Sequence, residues 1–285
     1  MEGIININKP SGISSFDVIR VLRKTLKEKR IGHTGTLDPL ATGVLIICVG
    51  KAARLAQDIE GYSKVYVAEL ELGYKTDTYD IEGSVTEKSS IESVTFDEFK
   101  NVVDSFVGHS KQLPPMYSAI KINGQKLYEL ARKGIEVERK TRDINIDFIE
   151  IVEFDGKKAK IRCKVSKGTY IRSLIYDIGE KLGTFATMTS LVREKVGDID
   201  IANAFSLEEI ENLHNNNRED FLWSVEKFFD YPKLILNNER DLKLFLNGNT
   251  VRFSATDGRY RIYNGETFIG LANVNNNLLK GYKYF

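Results

Sequence analysis

"GHTGTLDPLATG", Gly32 to Gly43, decides how this chain is read. It holds one ionisable acid, Asp38, set between Leu37, Pro39 and Leu40. The residue before a proline is pushed away from helical angles, so Asp38 sits on an extended or turn backbone. A surface Asx turn would satisfy an Asp-Pro pair. The neighbours point further. Gly32, Gly35 and Gly43 interleave with three threonines, a composition that suits a backbone approached closely by a ligand. Leu37, Pro39 and Leu40 would desolvate the carboxylate and raise its pKa. To stay anionic at neutral pH it needs a cation from elsewhere in the fold. With one, it becomes a poised nucleophile or base in a dry cleft.

Outward from this turn the chain alternates helical and strand patterns. Upstream, "SSFDVIRVLRKTLKEK" predicts a helix, with Ser14 and Asp17 as a capping box and Phe16, Ile19, Leu22 and Leu26 at helical spacing. Downstream, "VLIICVG" reads as a buried strand. "KVYVAELELGY" alternates, placing Tyr66, Ala68, Leu70 and Leu72 on one inward face. "TFDEFKNVVDSFVG" predicts a capped helix ending at Gly108. In "YSAIKINGQKLYELARKG" the Asn123–Gly124 pair predicts a hairpin, and a short helix closes at Gly134; the piece reads as an excursion from the sheet. "KAKIRCKVS" turns Ala159, Ile161, Cys163 and Val165 inward, and "TYIRSLIYDIGEKLG" becomes a helix with Arg172 near its start. "SLEEIENL" is a capped helix. After about Asp230 the pattern changes to short strands punctuated by Gly and Asn, which predicts a small separate β unit.

The chain has 285 residues, enough for one large domain with a small appendage and a substantial core. Its longest apolar run is six residues, Val44 to Val49, far short of the roughly 20 that span a bilayer. The start, "MEGIININKP", lacks the basic and apolar regions of a secretory signal. Cys48 and Cys163 lie in apolar strand-like runs and read as buried reduced thiols. His33, His109 and His214 are too scattered to suggest a metal site. The net charge of +1 conceals local bias. Phe16 to Arg30 holds six basic residues against two acids, His109 to Arg142 eight against three, and Tyr231 to Phe285 eight against four. Glu69 to Asp104 holds ten acids against three basic residues. This distribution fits a protein that meets a polyanion on one side.

"GHTGTLDPLATGVLIICVGKAAR" resembles the signature of the TruB family, the tRNA pseudouridine-55 synthases, and the resemblance extends over nearly the whole chain. "NKPSGISSFDVI" and "KVYVAELELGYKTDTYDIEG" resemble its first and second motifs. "LPPMYSAIKINGQKLYELARKG" resembles its RNA-gripping insertion, and "SKGTYIRSLIYDIGEKLG" its third motif. The tail resembles a PUA domain. The resemblance implies an α+β pseudouridine-synthase fold with a mixed, largely antiparallel sheet flanked by helices. It implies a catalytic domain over 1–230, an RNA-gripping insertion at about 109–142, and a β-barrel-like PUA domain over 231–285. It implies a cytoplasmic monomer acting on the T-arm stem-loop of tRNA, with no cofactor, metal or membrane.

By the same resemblance Asp38 is the essential aspartate, attacking C1′ of the flipped nucleotide or abstracting its 2′ proton. Both roles need the ionised form. Arg172 is the partner cation, and Tyr66 stacks on the target base and helps remove the C5 proton. Tyr170 lines the pocket and Leu191 packs on the substrate. His33 takes the space left when the uridine leaves its stack. Asp77 and Asp80 match a motif and are placed near the pocket. Two other readings stand beside this one. A non-catalytic tRNA-binding or folding protein would not need Asp38, Tyr66 and Arg172 together. A glycoside hydrolase would need a second carboxylate that the "GTLDPLATG" segment does not supply.

Overall fold

The computed structural model describes residues 1–90, 93–122 and 124–285. In chain order the first elements are β1 (Gly3–Lys9), α1 (Ser15–Leu26), β2 (Ile31–His33), β3 (Thr42–Val49), α2 (Ala56–Glu60), β4 (Lys64–Leu72), β5 (Tyr74–Thr76) and β6 (Val85–Lys88). There follow α3 (Phe96–Asp104), β7 (Gly108–Gln112), β8 (Lys121–Ile122), β9 (Gln125–Lys126), α4 (Leu127–Ala131), β10 (Arg142–Phe154), β11 (Lys158–Val165), α5 (Ile171–Leu182) and β12 (Ala186–Val196). The last are β13 (Ile199–Asp200), α6 (Leu207–Asn215), β14 (Lys233–Ile235), α7 (Glu239–Leu246), β15 (Val251–Arg252), β16 (Gly258–Asn264), β17 (Thr267–Asn275) and β18 (Leu278–Tyr284).

Among the described residues nine strands form the main sheet, in the order β1-β3-β12-β4-β11-β10-β7, with β2 added to β3 and β13 to β12. Only β3 and β12 pair in parallel; the other pairings are antiparallel. The fold is α+β with a mixed, largely antiparallel sheet, as expected. The unbroken apolar run of β3 has a simple cause. Leu45, Ile47 and Val49 enter a core with Val18, Leu22, Ile175 and Ile210 from helices on one face. Val44, Ile46 and Cys48 enter a second core on the other face, with Leu55, Val225 and Leu271. A strand covered on both faces is apolar at every position. Each such side chain contributes about 1.5–3 kcal/mol by leaving water.

Strands β4 and β11 alternate instead. Tyr66, Ala68, Leu70 and Leu72 are buried on one face, with Tyr66 only 8% exposed. Ala159, Ile161, Cys163 and Val165 lie on the corresponding face of β11. The opposite face carries cross-strand ion pairs: Lys160 with Glu69 at 3.0 Å, Arg162 with Glu194 at 2.7 Å and Lys164 with Asp147 at 3.0 Å. Both cysteines are free and buried, and burial pushes each thiol up to about 12. Among the described residues no helix is long and apolar enough to cross a membrane.

Three expectations need correction. Helix α3 stops at Asp104, not Gly108; its last turn closes at Ser105, and Gly108, at φ +104°, opens β7. Phe16 is not a core residue: it is 54% exposed, while Val18 and Ser15 take the buried positions of α1. The tail is not all strand, since α7 begins where the Asn238 side chain caps the N–H groups of Arg240 and Asp241. Helix α7 packs Phe245 against Tyr284, ring centres 5.1 Å apart, over a five-stranded sheet β14-β16-β17-β18-β15 among the described residues. The basic stretch 109–142 begins and ends in the main sheet, where Gln112 pairs with Arg142 and His109 with Asn145. Within it, β8 and β9 pair as a hairpin; Asn123, half of the expected turn, lies outside the described residues.

Asp177 on α5 offers a stability test. Burial, reinforced by Glu180 one turn on, pushes its carboxyl from an ordinary 3.8 up to about 6. The folded protein therefore keeps a proton that the unfolded chain releases, and stability falls as pH rises through this window. Asp177→Asn is expected to raise unfolding free energy by about 1–2 kcal/mol at pH 7.5 and by nothing at pH 3.5, read from urea melts at both values.

Candidate active site

The Asp38 turn is held by its own backbone before any side chain is considered. Each carbonyl from Leu37 to Leu40 has a donor. The Ser15 hydroxyl donates to Leu37 O at 3.1 Å and accepts from Leu37 N–H at 2.8 Å. Ala41 N–H donates to Asp38 O, and Gly12 N–H to Pro39 O. The Ser11 hydroxyl donates to Leu40 O at 3.1 Å. The Lys9 ammonium, fully buried, donates to Pro39 O at 3.1 Å, Pro10 O at 2.8 Å and Ile13 O at 2.7 Å. Burial pushes that ammonium down to about 8, against the pull of Asp38's charge. Buried polar backbone must be paired, and here "NKPSGISS" supplies the pairing.

The far end of the turn is held by Arg193. Its guanidinium is 1% exposed and donates to Val44 O at 2.6 Å and Gly35 O at 3.2 Å. Gly43 sits at φ +100° with its missing Cβ only 2.3 Å from Arg193 O, so no other residue fits there. Of the three apolar flanks, Leu37 is buried, Leu40 half-buried and Pro39 exposed. The desolvation expected of Asp38 is thus one-sided, and its side chain is 31% exposed.

Arg172 meets that carboxylate. Its Nη2 donates to Asp38 Oδ1 at 3.0 Å, and its Nε lies 2.9 Å from Oδ2 without the alignment of a hydrogen bond. The same guanidinium donates to Thr78 O at 2.9 Å and to Tyr117 O at 2.8 Å. Nη1 also faces Asp80 Oδ2 at 3.5 Å. Arg172 is 4% exposed and so carries its charge into the interior against five partner atoms. Burial holds Asp80 above the usual carboxylate range, opposed by the Thr78 hydroxyl and by Arg172. Asp77 faces its own turn instead, accepting from Ser84 N–H at 2.8 Å.

Helix α5 starts where it does because Gln112 of β7 clamps Tyr170, accepting its N–H at 2.8 Å and donating to its carbonyl at 3.0 Å. Tyr170 supplies no side-chain cap, and the clamp fixes its extended backbone at the entry to the helix. The Tyr170 ring is half-buried, and burial pushes its phenol pKa up. Tyr66 and Leu191 belong to one buried cluster with Leu37 and Ala41, on neighbouring strands where Leu191 stands opposite Ala68. His33 ends β2 opposite Ile47. Burial and the nearby Arg193 charge lower its pKa, so the imidazole is neutral at pH 7. Its Nδ1 is buried without a hydrogen-bond partner among the described residues. Direct contact joins Asp38, Arg172 and Asp80; Tyr66, Leu191 and Leu37 share the apolar core beside them. Next to Arg172's carbonyl partner Tyr117, a cleft of about 520 Å³ opens between Lys75, Tyr79, Tyr176 and the insertion residues Ile135 and Arg139.

Sequence reading missed Lys9, Gln112 and Arg193, although Lys9 lies inside one quoted motif and Gln112 beside another. Lysine, glutamine and arginine normally face water, so only their internal partners reveal the role. Among the described residues no group of three or more His, Cys, Asp or Glu side chains is arranged to hold a metal ion.

Known proteins are similar to this chain in sequence and fold. A family model described as TruB family pseudouridylate synthase (N terminal domain) matches residues 23–171, and one described as tRNA pseudouridylate synthase B C-terminal domain matches 172–231. A tRNA pseudouridine synthase B of Fusobacterium nucleatum is 58% identical over 288 residues, covering all of both chains. One from Clostridium tetani is 45% identical, covering 95% of each. Among solved structures, an H/ACA RNP bound to a substrate RNA containing 2′-deoxyuridine aligns over 99% of this chain and 84% of the other. The TM-score is 0.72 at 23% identity, which shows a shared fold. With both segments matched and such identity along its whole length, the chain belongs to the TruB family of pseudouridylate synthases.

Proposed function

We propose that this chain is an isomerase, a tRNA pseudouridine synthase that converts the T-loop uridine at position 55 of tRNA to pseudouridine. In that conversion the N1–C1′ bond breaks, the base turns, and a C5–C1′ bond forms. The C5 proton leaves and N1 gains one, so product and substrate are isomers. The observation that carries this reading is the contact of Asp38 with a buried guanidinium 134 residues away, at 2.9 and 3.0 Å, in a chain of this family.

The partly exposed carboxylate face supplies the reactive oxygen, as nucleophile at C1′ or as base at the 2′ position. Arg172 holds it in place through its guanidinium contacts. Tyr66 stacks on the everted base and helps remove the C5 proton; Leu191 packs on the substrate and Tyr170 lines the pocket. His33, neutral and flat, fills the stack that the uridine vacates. The enzyme works as a cytoplasmic monomer, with 1–230 as catalytic unit and 231–285 as a PUA-like RNA-binding unit. The basic insertion, at about 109–142, and the tail grip the T arm, so affinity falls steeply with salt.

The reaction leaves mass unchanged, so carbodiimide labelling of a T-arm stem-loop is the assay. Asp38→Asn is expected to bind this RNA with wild-type affinity and form no pseudouridine; retained turnover removes Asp38 from the chemistry. Arg172→Ala is expected to lose about 10²-fold or more in kcat with a much smaller change in Kd. Equal losses in both would make it a phosphate contact. Lys9→Met frees the carbonyls beneath the Asp38 turn. It is expected to lower kcat about tenfold or more and lower Tm while leaving Kd near wild type, since a loosened carboxylate is a misaimed one. An unchanged kcat in that variant would show that the turn holds without the ammonium.

A further inference from the structure

Helix α1 presents a solvent face that the site does not use. Its other face, with Ser15, Val18, Ile19, Leu22 and Leu26, is buried on the sheet. Phe16, Arg20 and Arg23 fall at i, i+4 and i+7, so they line one stripe about 10 Å long, and Lys27 follows as the C-cap residue of the helix. All four are exposed, and Phe16 is 54% exposed despite its apolar ring. The guanidinium carbons of Arg20 and Arg23 lie 5.7 and 6.0 Å from the centre of that ring. Asp17, itself fixed in the capping box, holds Arg20 in position at 2.5 Å. Lys24, Lys29 and Arg30 extend the exposed positive charge.

The stripe also has a defined place. Ser15, one residue before Phe16, exchanges two hydrogen bonds with Leu37, one residue before Asp38. It therefore starts beside the Asp38 turn. An exposed aromatic ring with guanidinium groups over it, followed by a row of cations, matches a nucleic-acid strand. An unpaired base can stack on the ring, and phosphates can meet the cations. An apolar protein partner would want further apolar residues along the stripe, and arginine and lysine stand there instead.

We propose that this stripe binds the substrate RNA strand next to the uridine that reaches Asp38, with an unpaired base on Phe16 and phosphates on Arg20, Arg23 and Lys27. The proposal rests on the RNA-modifying reading above and adds a contact surface outside 109–142 and 231–285. Fluorescence anisotropy with a labelled T-arm stem-loop, across a salt series, tests it on the full chain. Phe16→Ala is expected to raise Kd about tenfold. The double variant Arg23→Ala, Lys27→Ala is expected to raise Kd and flatten the slope of log Kd against log salt by about 1 to 2. Both should keep wild-type kcat at saturating RNA and wild-type Tm, because the positions are exposed. Wild-type Kd and slope in both variants would overturn the proposal, and that is also the outcome if the stripe serves a protein partner. Should the wild type bind this RNA yet form no pseudouridine, the isomerase reading fails while the binding comparison still decides this one.

Discussion

A single guanidinium ties the site together. Arg172 carries its charge into a position where water scarcely reaches, and a buried charge is tolerated only when its partners surround it. Those partners come from separate parts of the chain. Asp38 lies on the turn before β3, Thr78 and Asp80 between β5 and β6, and Tyr117 in the excursion between β7 and β10. Losing any one leaves the others incompletely paired. The start of α5, the Asp38 turn and the β5–β6 hairpin are therefore locked to one geometry by one side chain.

That lock needs a rigid floor, and two features provide it. Strand β3 is buried on both faces, so it cannot shift without opening two cores. The turn that precedes it has its carbonyls occupied one by one by Lys9, Ser11, Gly12, Ser15 and Ala41. At its other end Arg193 fills the space beneath Gly35 and Gly43. The carboxylate is thereby set on a backbone with little freedom, while its own oxygens keep an open side. Preorganisation of this kind is what positions a reacting group before the substrate arrives.

Charge is arranged on the same plan. Ten acids between Glu69 and Asp104 balance the basic stretches elsewhere, so the total says nothing about the surface. Some of those acids serve structure: Asp80 faces Arg172, Glu98 completes the cap of α3, and Glu69 pairs with Lys160. The basic residues of α1 remain in solvent, with Arg20 paired to Asp17 and Arg23 donating to Ile31 O.

Much of this was legible in the residues alone. The six-residue apolar run, the alternation at Tyr66 to Leu72 and at Ala159 to Val165, and the capping boxes at Ser14, Thr95 and Ser206 are local patterns. The backbone obeys them wherever they occur. A lone acid in a Gly-rich turn also announced its need for a distant cation, and the motif resemblance named Arg172. Other features depended on tertiary packing. Periodicity placed Phe16 in the core, but Val18 and Ser15 fit the sheet better, and the ring faces water. Lys9 and Arg193 turned inward because backbone carbonyls without partners were waiting there. Local sequence determines which conformation each segment prefers and which face is apolar. Which buried polar atom finds which partner is decided only when segments far apart in the chain are brought together, because that pairing has no local signature.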